Sequence, residues 1–335
     1  MTKPAKSAAA ERPRNVNQMD LVSIADIRQA AAALAGVVVR TPLLRCPWVG
    51  SSDGLWLKPE CLQTTGAFKI RGAYYSLSQL HDDQRHAGVI TYSSGNHAQA
   101  LAYAARAFGC PCTVVMPDDA KSVKVEATRT LGAEIVMVPP ATRKSHAEQL
   151  AADRGLTLIP PFDHLDVIAG QGTVGLEIVE DLPNVEVVLV PVGGGALASG
   201  VAAAVKTLQP SATVIGIEPE LAADAAESLQ NKRLTTWPIA RTGRTVADGL
   251  RTNLSELTFD HLHRYLDAIV TVSEDEILSA VGELARSAHL VVEPSGAVTA
   301  ASYLYQKKQL SPGRTVAVLS GGNVDSGLLA TVLGS

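Results

Sequence analysis

Apolar residues in the middle of the chain form short continuous runs, which Ala-rich stretches of helical character separate. The runs predict buried strands at Gly88–Tyr92, Cys112–Pro117, Glu134–Pro139 and Thr157–Pro161. Stretches such as Ala98–Phe108 and Val123–Leu131 predict the helices between them. The strand starts are 24, 22 and 23 residues apart. This spacing is typical of βαβ units and predicts a parallel sheet.

A second α/β set follows in the C-terminal half. It comprises strands at Val185–Val192, Ala212–Ile217, Ala268–Val272 and Thr315–Leu319, and a small-residue helix at Ala196–Leu208. Ser273 and Glu276 form a capping-box pattern that predicts a helix start. We therefore expect an α/β fold with two parallel or mostly parallel sheet layers.

The domain organisation follows from these two sets. The segment before Gly88 contains a predicted helix, Ile24–Leu34, and further strand-like pieces, which we expect to pack with the second layer. The prediction is a flexible tail at 1–20, a large domain of 21–87 plus 165–335, and a small inserted α/β domain at 88–164.

Composition narrows the class of protein. The 335 residues carry a formal charge of −4, and 46% are hydrophobic but only 4% aromatic. These values argue against a disordered or nucleic-acid-coating protein. No apolar run approaches the roughly 18 residues of a transmembrane helix, and the first twenty residues lack an apolar signal core. Four cysteines without a small-domain framework predict a reducing, cytoplasmic location.

Cys110 and Cys112 flank Pro111 and could form half of a metal site, but no second Cys or His pair stands at zinc-like spacing. We therefore interpret them as inert buried thiols.

Three small-residue turns follow predicted strands and open predicted helices. They are Ser93-Ser94-Gly95-Asn96-His97, Gly193-Gly194-Gly195-Ala196 and Ser320-Gly321-Gly322-Asn323. Each glycine could simply permit a tight turn, but helix N-termini at the carboxyl edge of a sheet also bind anions. None of the three turns is a Walker loop or has the G-x-G-x-x-G pattern of a dinucleotide site, which favours a phosphate smaller than a nucleotide.

Lys69 lies between Phe68 and Ile70 in the run Thr65 to Ala73, TGAFKIRGA. A lysine in this setting is either a surface residue with a buried aliphatic stem or a desolvated amine able to form a Schiff base.

This run resembles the lysine motif of fold-type II pyridoxal phosphate enzymes, in the threonine/serine dehydratase and serine racemase family. That family has the lysine motif, S-S-G-N-H, a glycine-rich phosphate loop, E-P-[ST]-x-G and S-G-G-N in this order. Here the same order is Lys69, Ser93 to His97, Gly193 to Ala196, Glu293-Pro294-Ser295-Gly296 and Ser320 to Asn323. The resemblance covers Ile24 to the C-terminus and implies a tryptophan synthase β-like fold.

The resemblance implies roles for individual residues. Lys69 would form the Schiff base and remove the Cα proton, and Ser94 is the second catalytic candidate. The implied cofactor-binding residues are Phe68, Lys69, Asn96, Gly193, Gly194, Gly195, Ala196 and Ser320. The implied substrate-binding residues are Ser93, Ser94, Gly95 and His97. Within this set Phe68 would lie against the ring, Asn96 would bind the ring hydroxyl and Ser320 would face the pyridine nitrogen.

Two features of this sequence bear on the implied site. Ala196 replaces the last of four family glycines, and we expect it to sit at a helix start with ordinary dihedral angles. A neutral hydroxyl at the ring nitrogen makes the cofactor a weaker electron sink than a carboxylate would, which suits rapid loss of a β-leaving group.

Glu218, Ala222 and Asp224 resemble the divalent-cation site of serine racemases, in which two carboxylates and a backbone carbonyl bind Mg²⁺ or Ca²⁺. The alternative is a solvated acidic turn.

The implied function is β-elimination from L-threonine or L-serine to give a 2-oxo acid and ammonia, by an enzyme of the short, catabolic type. Alternatives are serine racemisation, 3-hydroxyaspartate elimination with Arg143 or Arg251 binding the extra carboxylate, and binding of pyridoxal phosphate or an amino acid without turnover. Relatives are usually dimers or tetramers, so we expect a homo-oligomer with a small amino-acid substrate and neither nucleic-acid nor membrane partners.

Overall fold

The computed structural model describes residues 21–50, 54–120 and 122–334. The predicted tail at 1–20 lies outside the described residues. Within them the strands are β1 Leu44–Arg45, β2 Leu55–Pro59, β3 Val89–Tyr92, β4 Cys112–Pro117, β5 Glu134–Val138, β6 Thr157–Leu158, β7 Val187–Pro191, β8 Thr213–Pro219, β9 Ala268–Val272 and β10 Thr315–Leu319.

The helices enclose two sheets. They are α1 Ile24–Leu34, α2 Lys69–Ser78, α3 Asp82–Ala87, α4 Asn96–Phe108, α5 Ser122–Thr130, α6 Arg143–Arg154, α7 Leu165–Asp181, α8 Ala196–Leu208, α9 Asp224–Asn231, α10 Ile239–Thr242, α11 Glu256–Tyr265, α12 Glu274–Ser287, α13 Pro294–Tyr305 and α14 Ser326–Gly334. The expected capping box at the start of α12 is confirmed, because Ser273 and Glu276 bond reciprocally.

The larger sheet has the order β1-β2-β10-β7-β8-β9. Only β1 runs antiparallel to its neighbour, and the other pairs are parallel. β7 and β10 are buried along their whole length, which explains their continuous apolar runs. The early segment contributes β1 and β2 to this sheet, as the sequence predicts.

The smaller sheet is wholly parallel in the order β5-β4-β3-β6. The βαβ spacing is thereby confirmed, but the predicted extents of three strands are wrong. β3 begins at Val89 rather than Gly88, β5 ends at Val138 rather than Pro139, and β6 ends at Leu158 rather than Pro161. The β6 ladder ends there because Pro160 and Pro161 have no N–H to donate, although Ile159 N still bonds to Ile90 O at 2.9 Å.

Helices α2 and α7 precede and follow the smaller sheet in the chain and pack directly together. A Cβ on Gly170 would lie only 2.6 Å from Gly72 Cα, so this approach requires glycine. The division into domains of 21–87 plus 165–335 and 88–164 stays a prediction. No described helix has the length and apolar character needed to cross a bilayer.

Candidate active site

The lysine motif and the last glycine-rich turn are joined by backbone hydrogen bonds. Phe68 N donates to Ser320 O at 3.0 Å, Gly322 N donates to Gly66 O at 2.8 Å, and Ala67 forms an isolated bridge with Gly321. The side chain of Lys69, the first residue of α2, therefore starts beside the carboxyl end of β10. Residues 251 positions apart in the chain, such as Lys69 and Ser320, are brought together in this way.

Lys69 has the surroundings of a reactive amine. Its Nζ donates to Pro161 O at 2.6 Å and lies 5.0 Å from the centroid of the Phe68 ring. Burial lowers the pKa of Lys69 to about 8. An amine with such a pKa is available as a nucleophile near neutral pH, which favours the Schiff-base interpretation over that of a surface lysine.

The turn from Ser93 to His97 connects β3 to α4. Ser93 and Ser94 are half-buried, and Ser93 Oγ accepts a hydrogen bond from Gly95 N at 3.3 Å. The amide of Asn96 is held at both ends: its Nδ2 donates to Glu293 Oε1 at 2.6 Å and its Oδ1 accepts from Asn323 Nδ2 at 2.8 Å. The turn is thus anchored to the C-terminal part of the chain.

His97 is buried and its Nε2 faces Ile159 O at 3.1 Å. Burial and the nearby charge of Lys69 lower the pKa of His97 to about 3. The imidazole is therefore neutral at physiological pH, with Nε2 the donor to the carbonyl and Nδ1 the acceptor.

The glycine loop between β7 and α8 is shaped by close neighbours. Gly195 has a φ of +90°, and a Cβ there would meet Leu254 and Thr258 at 2.8 Å. A Cβ on Gly194 would lie 2.5 Å from the Phe162 ring. Ala196 begins α8 and is not among the described residues with positive φ, as expected. The loop leaves backbone N–H groups at a helix N-terminus, an arrangement suited to phosphate.

Ser320 is buried at the end of β10, and its Oγ lies 3.4 Å from Ser295 O. It provides a neutral hydroxyl next to the lysine motif. The desolvated amine, the glycine loop and this hydroxyl together fit pyridoxal phosphate.

The cation ligands that the resemblance implies extend from the end of β8 to the start of α9, and Asp224 Oδ2 accepts a hydrogen bond from Leu254 N at 3.1 Å. Glu218 accepts hydrogen bonds from Ala225 N at 3.1 Å and Ala226 N at 2.7 Å, while Asp224 Oδ1 is buried without a hydrogen-bond partner. Burial raises the pKa of Glu218 well above its usual value and that of Asp224 to about 6. No metal-binding group of three or more His, Cys, Asp or Glu occurs among the described residues.

Several residues near the site received no role from the sequence. Glu293 and Asn323 hold Asn96, Pro161 accepts from Lys69, and Lys124 Nζ bonds to Asp248 Oδ2 at 2.5 Å. The E-P-S-G and S-G-G-N motifs marked two of these residues, but their partners are about 200 residues away in the chain.

The two arginines proposed for an acidic substrate differ in their contacts. Arg251 is engaged with the backbone, because its Nη2 donates to Thr245 O at 2.6 Å. Arg143 is half-buried, and the electrostatic influence of Tyr92 and Asp119 reaches it. Tyr92 directly precedes Ser93, and Arg251 follows Leu250, whose Cα would lie 2.8 Å from a Cβ on Gly193, so both arginines belong to segments that adjoin the site.

This fold and site define the class. A family model described as pyridoxal-phosphate dependent enzyme matches residues 34–321, and the chain belongs to this family, with its fold type II architecture. The chain is 40% identical over 313 residues to the L-threo-3-hydroxyaspartate ammonia-lyase of Saccharomyces cerevisiae, covering 92% of this chain and 95% of that one. It is 39% identical to the L-threonine ammonia-lyase of Thermotoga maritima, covering 93% and 78%. The structure of maize serine racemase superposes with a TM-score of 0.89 at 36% identity, covering 94% and 98%.

Proposed function

We propose that this chain catalyses the pyridoxal phosphate-dependent elimination of water and ammonia from a β-hydroxy amino acid, with L-threonine or L-serine as substrate. The observation that carries the proposal is the backbone pairing of the lysine motif, which contains the desolvated Lys69, with the turn that supplies the neutral Ser320 hydroxyl. Two ammonia-lyases at 40% and 39% identity support this reaction class.

Each residue has a proposed task. When bound, pyridoxal phosphate supplies an electron sink for the bond that breaks at Cα. Lys69 anchors the cofactor and accepts the Cα proton of the substrate. The carboxylate of the substrate binds at Ser93, Ser94, Gly95 and His97. Gly193, Gly194, Gly195 and Ala196 would hold the cofactor phosphate, and Phe68, Asn96 and Ser320 would contact the cofactor ring.

Position 320 provides a neutral hydroxyl rather than a carboxylate for the ring nitrogen. Expulsion of the β-hydroxyl of the substrate must therefore compete with return of the proton to Cα. Loss of water leaves an enamine, which hydrolyses to the 2-oxo acid and ammonia. Proton return from the opposite face would instead racemise serine, and Ser94 is the residue proposed for that step. The likeness to a serine racemase structure makes this a necessary comparison.

A second candidate substrate is 3-hydroxyaspartate. Arg143 is half-buried and interacts electrostatically with Tyr92, the residue that precedes Ser93, whereas Arg251 is engaged with Thr245 O. A guanidinium in this position can pair with a side-chain carboxylate. The yeast relative is an ammonia-lyase for this class of substrate.

The test measures 2-oxo acid from threonine, serine and 3-hydroxyaspartate, together with the chirality of residual serine. We expect 2-oxobutyrate from threonine; a cofactor-loaded enzyme without any 2-oxo acid would contradict the proposal. If the side-chain carboxylate of 3-hydroxyaspartate pairs with the Arg143 guanidinium, Arg143→Ala should reduce kcat/KM for this substrate at least about tenfold. Arg45→Ala, an exposed arginine stacked on Trp56, serves as the control.

We also propose that Mg²⁺ or Ca²⁺ binds Glu218, the Ala222 carbonyl and Asp224. The support is the burial of two neighbouring carboxylates with an unpartnered oxygen on Asp224, since bound cations compensate such charges. Mg²⁺ should raise the Tm of the wild type but not of Asp224→Asn.

Cytoplasmic location and homo-oligomerisation remain predictions; the four free cysteines are consistent with the cytoplasmic location.

A further inference from the structure

Glu293 is a buried carboxyl between two parts of the proposed cofactor site. It precedes α13 and is 4% exposed. Its backbone N donates to Gly321 O at 3.0 Å, and a Cβ on Gly321 would overlap Glu293 Oε1. The side chain reaches Asn96 Nδ2 at 2.6 Å. Glu293 thus connects the turn after β3 with the turn after β10.

The hydrogen bonds around Asn96 have only one consistent direction. Asn323 Nδ2 donates to Thr65 O at 2.9 Å and to Asn96 Oδ1 at 2.8 Å, which uses both of its hydrogens. Asn96 Oδ1 must therefore accept, and Asn96 Nδ2 donates one hydrogen to Glu293. A flipped Asn96 amide would set oxygen against oxygen at Glu293 and two NH₂ groups against each other at Asn323.

One hydrogen of Asn96 Nδ2 remains after the bond to Glu293. The same nitrogen lies beside Gly321, where a Cβ would approach it to 3.1 Å. Gly321 follows Ser320 and pairs with Ala67 in the lysine motif, so the remaining N–H belongs to the cluster that fits the cofactor.

We propose that Glu293 is a positioning residue, which together with Asn323 orients the Asn96 amide so that its remaining N–H donates to the ring hydroxyl oxygen of pyridoxal phosphate. This inference rests on the proposed role of Asn96. Donation to that oxygen stabilises its negative charge and keeps the shared proton on the Schiff-base nitrogen. An Asn96 carbonyl turned to the same place would repel the oxygen anion.

The experiment records the absorption spectrum and the pyridoxal phosphate Kd of the purified holoenzyme without substrate. In Glu293→Ala, absorbance should move from the visible band to the near-ultraviolet band, because the proton moves to the ring oxygen. Its Kd should rise about tenfold, as for loss of one charge-assisted hydrogen bond. Glu293→Gln should restore the wild-type spectrum, because its amide oxygen can accept from Asn96.

A second variant tests the other end of the amide. Asn323→Asp replaces the donor to Asn96 Oδ1 with a carboxylate, so it should cause the same spectral change even if Glu293→Ala fails to fold. Thr299→Ala is the control, since Thr299 is a buried residue of α13 that bonds to Val318 O at 3.0 Å. It should keep the wild-type spectrum.

A wild-type spectrum and Kd in Glu293→Ala or Asn323→Asp would overturn the inference. Equal damage from Glu293→Gln and Glu293→Ala would overturn it as well, because the acceptor oxygen would then be irrelevant. Failure of the proposed function gives a different result, namely a normal spectrum in an enzyme that forms no 2-oxo acid from any hydroxy amino acid.

Discussion

Arg71, which lies two residues after Lys69 in the chain, forms a completely buried, bidentate ion pair with Glu60. Arg71 Nε and Nη2 each lie 2.8 Å from a Glu60 oxygen. Glu177 of α7 binds the same guanidinium at 2.6 Å and also Lys58 Nζ at 2.6 Å. Two cations and two carboxylates balance, so the buried group has no net charge. It holds the first turn of α2, and hence Lys69, against β2 and α7.

Arg71→Lys should destabilise the protein strongly, since a lysine cannot satisfy two carboxylates in this planar arrangement. Leaving a buried charge incompletely paired costs about 3 to 5 kcal/mol. Urea unfolding would measure the free-energy difference. Arg129→Lys, in an exposed pair with Glu126, should cost less than about 1 kcal/mol. Equal costs at the two positions would refute the structural role of the buried group.

Lys69→Ala should lower kcat at least about 10²-fold, because it removes the residue proposed both to anchor the cofactor and to accept the Cα proton. The visible absorbance of the cofactor–lysine imine should disappear. Lys144→Ala removes an exposed lysine 3.8 Å from Glu148 and should leave both quantities unchanged. Turnover at the wild-type rate in Lys69→Ala would show that the assignment of Lys69 is wrong.

Gly195→Ala should weaken the binding of pyridoxal phosphate and the fold, because the added methyl meets Leu254 and Thr258 at a positive φ. The left-handed conformation alone costs about 1 to 2 kcal/mol. The adjacent change Ala196→Gly should cost no more than about 1 kcal/mol, since position 196 begins a helix. Titration with the cofactor and thermal unfolding check both. If Ala196→Gly instead tightened phosphate binding, the methyl group of Ala196 would be hindering the binding of the phosphate by the loop.

His97 should make stability depend on pH. Its pKa is lowered to about 3 in the folded protein, where burial and the Lys69 charge oppose protonation. The unfolded chain binds a proton below the ordinary pKa near 6.5, so the free energy of unfolding should fall as pH decreases from about 6.5 towards 3. By pH 5 the loss from this group is about 2 kcal/mol.

The measurement compares urea unfolding between pH 7 and 5. His97→Asn should show a flatter dependence than the wild type, whereas His86→Asn, an exposed position, should keep the wild-type slope. Identical slopes in the wild type and His97→Asn would mean that His97 protonates freely in the folded protein.

The sequence predicted most of the fold because buried parallel strands are continuous apolar runs. Helices α1 and α8 and strands β4, β9 and β10 have the predicted bounds. Strand β6 was predicted too long because apolar character does not reveal that two prolines lack N–H donors. The motifs located Lys69 and the glycine loop, since these occur in short contiguous stretches.

Interactions between distant residues could not be predicted. Arg71 and Glu177 are 106 positions apart, and Asn96 and Glu293 are 197 apart. Their pairing depends on how the helices pack around the sheets. Neither an isolated Glu nor an isolated Arg in the sequence indicates a buried partner, because these residues are usually exposed.

The contact of α2 with α7 bears on whether the segment between these helices can be exchanged with that of another protein. Gly72 and Gly170 bring the backbone before the smaller sheet against the backbone after it. The two ends of the segment between these glycines therefore lie next to each other. Segments with adjacent ends can be exchanged or grafted between homologues with little disturbance of the host. Because this segment contains Ser93 to His97, the proposed binding site of the substrate carboxylate, exchanging it with that of a relative should alter substrate choice.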